Sequence, residues 1–371
     1  MRKKYDVIII GAGPSGIGTA IALKEMGVKN VVILERYSVG ESFKRWPKET
    51  SFITPSFASN SFLMPDLNAI TPLSSPALQF KKERINGTEY ADYLHSLVEH
   101  YKLAIHKGVD VASVAKEASF FLVHTNIGTY NGKYVVWAAG EFQYPHTDLF
   151  LGSELCVHTS TIDSYQNITG KDVVIIGGYE SGADAAINLS RLGKKSLVLD
   201  AKDRLGEDND DPSIALSPYT QERLREEMKK ELIQIRTNIT VVKVSQDSKN
   251  YIVTLQSGES LQTKSKPLLA TGFKTSTVVI ENLFERTDNG DVLLTDKDEL
   301  TQTSNIFLVG PMVHHADIIF CFIYKNRMRF AVVAAEIASR LGFDPSDTIA
   351  EYKKYNMYLE DCNDCAGSCN C

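Results

Sequence analysis

The run Gly11-Ala12-Gly13-Pro14-Ser15-Gly16 constrains this chain more than any other stretch. Four apolar residues, Val7-Ile8-Ile9-Ile10, lead into it as a buried strand does. Behind it the spacing predicts a helix from Ser15 to Met26, stopped by Gly27, and then a second buried strand, Val31–Leu34, ending in Glu35. In a strand–loop–helix–strand–acid unit of this kind each glycine has a task. Gly11 makes the tight turn, Gly13 lets the backbone approach a pyrophosphate, and Gly16 lets the helix pack closely on the strand. The helix N-terminus offers unpaired N–H groups to the anion, and Glu35 is placed to accept hydrogen bonds from a ribose diol. The expectation is a dinucleotide site.

The same pattern then begins again. Asp172-Val173-Val174-Ile175-Ile176 runs into Gly177-Gly178-Tyr179-Glu180-Ser181-Gly182, a helix follows to Gly193, and the strand Ser196–Leu199 closes on Asp200. Each half continues with a meander and an apolar strand, ending in Ala138-Ala139-Gly140 in one case and Ala270-Thr271-Gly272 in the other. Two dinucleotide sites in one chain is the economical reading. Tyr179 stands where the middle glycine belongs, so its ring is expected to crowd the pyrophosphate path. Near the end, Asn305–Gly310 reads as a buried strand and Tyr324–Leu341 as a long helix, and both would complete the first domain. The expected fold class is α/β, with two Rossmann-like, three-layer domains, the second inserted in the first. The boundaries are 1–149 with 285–360, then 150–284, then a tail, 361–371.

Composition narrows the class. The chain has 371 residues, 43% hydrophobic and 23% charged, enough for two cores. A net charge of −6 without a basic run argues against nucleic acid as a partner. No apolar stretch approaches the ~20 residues of a membrane span, and the one after Met1-Arg2-Lys3-Lys4 is too short for a secretory leader, so a cytoplasmic location is expected. Between Tyr37 and Arg84 the pattern is irregular, yet Phe43, Trp46, Phe52, Phe57 and Phe62 argue against plain disorder.

Residues 5 to about 341 resemble the flavoprotein oxidoreductases with two dinucleotide-binding domains, FAD in the first and NAD(P)H in the second. The Gly11–Gly16 loop with Glu35 matches their FAD loop, and Ala270-Thr271-Gly272 matches the segment after their nicotinamide domain. Phe150-Leu151-Gly152 with His158 is similar to a signature of flavin-containing monooxygenases. Phe322–Arg327 with Arg329-Phe330 is similar to the flavin-side helix of bacillithiol disulfide reductases. The resemblance implies FAD contacts from Gly11, Gly13, Pro14, Ser15, Gly16, Glu35, Arg36, Ser42, Trp46, Val111, Ala139, Gly140 and Gly310. It implies NAD(P)H contacts from Gly177, Tyr179, Glu180, Ser181, Gly182, Asp200, Lys202, Arg204, Ala270, Thr271 and Gly272. Pro311 stands where the family carries an aspartate for the ribityl hydroxyls.

The implied activity passes hydride from NAD(P)H to flavin and electrons onward to oxygen and a small substrate, as a monooxygenase does. The alternatives are a reductase of low-molecular-weight disulfides and, from another class, a flavin-bound redox or metal sensor. No catalytic side chain is assigned. The partner is a small-molecule substrate or acceptor, with homodimerisation left open. Lys202 and Arg204 suit an NADPH 2′-phosphate, whereas Asp200 stands where NADH enzymes carry their acid. The coenzyme therefore stays open, with a lean to NADPH by resemblance. His314 and His315 are candidates to face the flavin, and Asp208–Asp211 reads as a solvated turn rather than a calcium loop. Cys156 and Cys321 stand alone, but Cys362, Cys365, Cys369 and Cys371 crowd the tail. Four thiolates suit Zn²⁺ or Cu⁺, and a redox pair Cys362–Cys365 is the other expectation.

Overall fold

The apolar run before the first glycine loop forms strand β1 (Lys4–Ile10) in a computed structural model that describes residues 4–58, 64–207, 209, 211–315 and 318–361. By its internal contacts the chain divides into two units. Residues 1–44, 54–141 and 275–371 make the first, and residues 45–53 and 142–274 the second.

In the first unit β1 is followed by α1 (Pro14–Glu25) and β2 (Val31–Glu35). The short helices α2 (Glu41–Lys44) and α3 (Pro76–Phe80) come next, then α4 (Gly87–His100). A capping box sets the start of α4: Asn86 Oδ1 accepts the Glu89 N–H at 2.9 Å while the Glu89 carboxylate accepts the Asn86 N–H at 3.0 Å. The sheet is completed by β3 (Ile105–Lys107), β4 (Val111–Lys116), β5 (Phe121–Thr125) and β6 (Gly128–Trp137), in the order β3-β2-β1-β6-β5-β4. Strand β6 is long because its first half pairs antiparallel with β5 and its second half parallel with β1, Ile8 opposite Val135 and Ile10 opposite Trp137. Successive side chains of a strand point to opposite faces. Ile8 and Ile10 thus enter a core with Val32, Leu34, Val135 and Trp137, while Ile9 lies against α1 at Gly16.

The second unit repeats the plan. Its elements are β7 (Val157–His158), β8 (Asp172–Ile176), α5 (Glu180–Arg191), β9 (Lys195–Leu199), α6 (Pro218–Met228) and β10 (Ile233–Arg236). An antiparallel meander follows, β11 (Val241–Gln246), β12 (Tyr251–Leu255) and β13 (Ser260–Thr263), before β14 (Leu268–Leu269). The parallel order is β10-β9-β8-β14-β7. Val173, Ile175, Val198 and Leu268 pack with Ala186 and Ile187 of α5, whereas Val174, Ile176, Leu199 and Leu269 meet Val244 and Val253 of the meander. Helix, sheet and meander form three layers. Residues 45–53 join this unit through polar anchors: the Glu49 carboxylate accepts the Ser164 hydroxyl at 2.5 Å and the Tyr165 N–H at 3.0 Å, and Thr50 Oγ1 donates to Asp184 at 2.7 Å.

The chain then returns to the first unit. β15 (Ile306–Leu308) lies parallel to β6, followed by the hairpin β16 (His314–His315) and β17 (Ile318–Ile319), then α7 (Ile323–Arg340) and α8 (Ser346–Lys354). The Phe330 ring of α7 lies so close to Gly18 of α1 that the glycine leaves no room for a Cβ. Arg329, fully buried, donates through Nε and Nη2 to the two oxygens of Asp298, each at 2.9 Å. The irregular stretch of the sequence is ordered around a second buried arginine. Arg327 donates to the carbonyls of Asp66 and Ala69, the latter at 2.9 Å, and Tyr90 and Tyr93 bond the backbone of Asn68 and Ile70. Burial brings the Arg327 pKa down to about 10. Among the described residues no helix is long and apolar enough to cross a membrane.

Candidate functional site

The two glycine loops have the same backbone. Gly11 and Gly177 both sit at φ +106°, and a Cβ on either would strike the carbonyl of Ala138 or Ala270, the last strand-end residue beside it. Gly16 and Gly182 each press so close to the carbonyl of the first glycine of their loop that no side chain fits between. These four positions are steric necessities of the turn.

Gly13 differs. It precedes α1 in extended conformation (φ −87°), lends the helix no side-chain cap, and a Cβ built on it meets nothing within 4 Å. An open cradle at an uncapped helix N-terminus is what a pyrophosphate requires. At the end of β2, Glu35 is buried, its Oε2 accepting the Ala12 N–H and its Oε1 the Tyr37 N–H, both at 2.8 Å. Burial holds its carboxyl above the ordinary value, against the pull of those two N–H groups. Each oxygen retains a lone pair for a ribose hydroxyl. Gly310, after β15, brings its Cα against Ser15, whose Oγ lies 2.9 Å from where a Cβ would be. Gly11, Gly13, Pro14, Ser15, Gly16, Ala139 and Gly310 thus gather at the ends of β1, β6 and β15, with Glu35 at the end of the neighbouring β2. On α7, buried Asn326 leaves its Oδ1 without a protein partner. The residues present fit FAD.

The remaining FAD candidates flank these residues or lie on other elements. Arg36 pairs with Asp110 at 2.9 Å, Ser42 is exposed on α2, Val111 begins β4, and Gly140 follows the end of β6 at φ +65°. Trp46 belongs to the segment that packs in the second unit, its ring 4.9 Å from that of Phe52. His314 and His315 have protein partners: His314 Nδ1 is 2.7 Å from Asp291, and His315 Nε2 is 2.5 Å from Asp298.

In the second loop Tyr179 has the backbone of Gly13 (φ −81°) and also leaves its helix, α5, without a side-chain cap. Its ring is moored. The hydroxyl donates to the Pro212 carbonyl, and the Arg204 guanidinium stacks on the ring at 4.9 Å while donating to the Ile214 carbonyl at 2.8 Å. Glu180 is engaged too, accepting the Ser217 N–H and the Thr220 hydroxyl at 2.6 Å each, so its charge sits at the N-terminus of α6. Ser181 and Lys202 are exposed, and Asp200 is buried at the end of β9.

His158 supports this loop cluster from below. A carbonyl only accepts, so the contact of Nε2 with Gly272 O (3.1 Å) makes Nε2 the donor and leaves Nδ1 to accept the Ser160 N–H at 3.2 Å. Thr271 Oγ1 donates to the His146 carbonyl at 2.6 Å, so Ala270-Thr271-Gly272 is held from both sides. Burial depresses the His158 pKa below the ordinary ~6.5, against the opposing pull of the Gly272 carbonyl. Between the two values the unfolded chain binds a proton that the native ring does not. The contribution of His158 to stability is therefore complete above about pH 6.5 and is lost as pH falls below it. The raised Glu180 carboxyl works in the opposite sense, so the check is comparative. His158→Gln keeps a donor for Gly272 without a titration. Its urea midpoint is expected to fall less than the wild-type midpoint between about pH 7 and pH 5.5; parallel curves would show that the ring does not titrate in this window.

Comparison with known proteins closes the question of family. The pattern of the pyridine nucleotide-disulphide oxidoreductases matches residues 8–310. The chain belongs to that family. Among its relatives is an uncharacterized oxidoreductase, CzcO, of Bacillus velezensis, 30% identical over 196 residues, or 50% of this chain and 52% of that protein. The matched region thus spans about half the length of that relative. Two solved structures show the same two-domain flavoprotein fold. The bacillithiol disulfide reductase Bdr of Staphylococcus aureus superposes with a TM-score of 0.74 at 21% identity, over 91% of this chain and 99% of that one. A flavin-containing monooxygenase from Stenotrophomonas maltophilia gives 0.70 at 16% identity, with the same coverage.

Among the described residues no His, Cys, Asp and Glu cluster forms a metal site. The four tail cysteines, Cys362, Cys365, Cys369 and Cys371, lie outside the described residues.

Proposed function

We propose that the protein is an FAD-dependent NAD(P)H oxidoreductase that delivers electrons to oxygen and a small substrate, as a flavin monooxygenase does. The observation that carries the reading is the duplicated loop, two glycine turns of equal φ, each ending a parallel strand, opening a helix and facing a buried acid. Bound FAD would accept hydride from a nicotinamide and pass electrons on. The chain's own part is binding and orientation. The N–H groups at the start of α1 hold the pyrophosphate, Glu35 fixes a ribose, and Ala139, Gly310 and Asn326 line the remaining path. At the second loop the N-terminus of α5 takes the coenzyme pyrophosphate, with Gly272 held in place by His158.

The described cysteines support direct transfer from flavin rather than a relay through protein thiols. Cys156 is partly buried and its thiol is pushed up to about 12, while Cys321 is not disulfide-bonded to it. Reduction of a low-molecular-weight disulfide is the second reading, supported by the likeness to bacillithiol disulfide reductase along nearly the whole of both chains. Steady-state oxidation of NAD(P)H by the FAD-loaded protein separates them. Turnover that needs oxygen and yields an oxygenated product supports the first reading. Turnover that proceeds anaerobically with a small disulfide and releases thiol replaces it with the second. For the tail we keep Zn²⁺ or Cu⁺ held by the four cysteines, because four thiolates make a soft donor set. Truncation after residue 360 is expected to remove bound metal and leave FAD content unchanged; equal metal content would end that idea.

A further inference from the structure

We infer that Asp200 makes this chain an NADH enzyme and turns NADPH away. The inference rests on the second loop being the nicotinamide-dinucleotide site.

One matched pair that differs between the two loops faces the ribose end. In the first, Ala12 carries a methyl group and Glu35 reaches its N–H. In the second, a Cβ on Gly178 would lie 2.6 Å from Asp200 Cβ and 2.7 Å from its Oδ2, so the aspartate fills the room that the glycine leaves. Gly178 and Asp200 therefore fit each other as a unit, and the carboxylate is fixed against the loop backbone. Its own backbone is pinned on both sides: the Asp200 N–H donates to the Arg236 carbonyl at 2.9 Å, and the Ile239 N–H donates to the Asp200 carbonyl at 2.8 Å. The side chain is only 7% exposed, so solvent screens its charge weakly. An acid at this strand end accepts from a ribose 2′-hydroxyl and repels a phosphate placed there.

Two of the cations that would offset that repulsion, Arg204 and Arg236, are engaged. Arg204 stacks on Tyr179, donates to Ile214 O and lies 3.6 Å from Glu207. Arg236, on the neighbouring strand, is bidentate to Glu259 at 2.8 and 2.6 Å. Lys202 is exposed, and its backbone N–H faces Asp200 Oδ1 at 3.4 Å. The turn that follows β9 adds Asp203, Glu207 and Asp211, so the described acids there outnumber the two bases. A 2′-phosphate would enter a field of its own sign.

The test titrates the FAD-loaded protein by calorimetry with ADP-ribose and with 2′-phospho-ADP-ribose, which report the adenosine end without turnover. ADP-ribose is expected to bind at least tenfold more tightly. Asp200→Asn and Asp200→Ser, each checked for unchanged FAD content, are expected to shrink that preference by tenfold or more, chiefly through tighter binding of the phosphorylated ligand. NADH is expected to bleach the flavin at lower concentrations than NADPH in the wild type. Equal or tighter binding of 2′-phospho-ADP-ribose by the wild type overturns the inference and leaves the dinucleotide site standing. Binding of neither ligand overturns the reading of the loop, and the inference with it.

Discussion

Gly13→Glu is expected to give a folded protein that carries no flavin. The backbone there lies at φ −87°, a conformation any residue adopts, and a Cβ meets no protein atom within 4 Å, so folding is not hindered. The same open space is the cradle in which a pyrophosphate would rest on the first turn of α1. A side chain there fills the cradle and a carboxylate adds like charge, so FAD affinity should fall by at least about a hundredfold, or ~2.7 kcal/mol. Gly16→Val provides the contrast. Its side chain would run into the Gly11 carbonyl, so both the fold and the flavin are expected to be lost. Visible absorbance and far-ultraviolet circular dichroism of the two purified variants decide the matter. A yellow Gly13→Glu protein would mean that the loop does not hold the cofactor.

Arg329→Met should cost about 3–5 kcal/mol, a large share of the ~5–15 kcal/mol typical of a domain. Arg329 and Asp298 are both fully buried, and the guanidinium also donates to the carbonyls of Asp296 and Leu359. Removing it leaves the Asp298 carboxylate with His315 and a buried site without its cation, which is far costlier than losing an exposed pair. Lys48→Met, which breaks the exposed Lys48–Asp163 pair, should cost under about 1 kcal/mol. Urea titrations of both variants test this. Equal midpoints would show that the buried pair is no more than a surface contact in energetic terms.

The glycine loops, their strands and the acids at Glu35 and Asp200 were legible in the sequence because periodicity and turn chemistry are local. Helix and strand limits moved by only a residue or two for the same reason, as when the helix expected from Ser15 to Met26 spans Pro14–Glu25. What long-range polar contacts decide left no periodic trace. Glu49 clasping Ser164, or Arg327 ordering residues 66–69, joins positions more than a hundred apart. For this reason the stretch from Tyr37 to Arg84 read as irregular, and the membership of residues 45–53 in the second unit was not foreseen. A sequence shows that the Tyr179 ring is present but not that Arg204 and Pro212 hold it. Glu180 sits within the fingerprint, yet its carboxylate serves the start of α6.

The central claim is that one chain binds FAD at its first glycine loop and a reducing nicotinamide dinucleotide at its second. Anaerobic mixing of the FAD-loaded protein with NADH, followed in a stopped-flow spectrophotometer, tests it most directly. The expected result is loss of the visible flavin band, saturating with NADH concentration. A flavin that stays oxidised with both NADH and NADPH, or a protein that cannot be loaded with FAD at all, would contradict it.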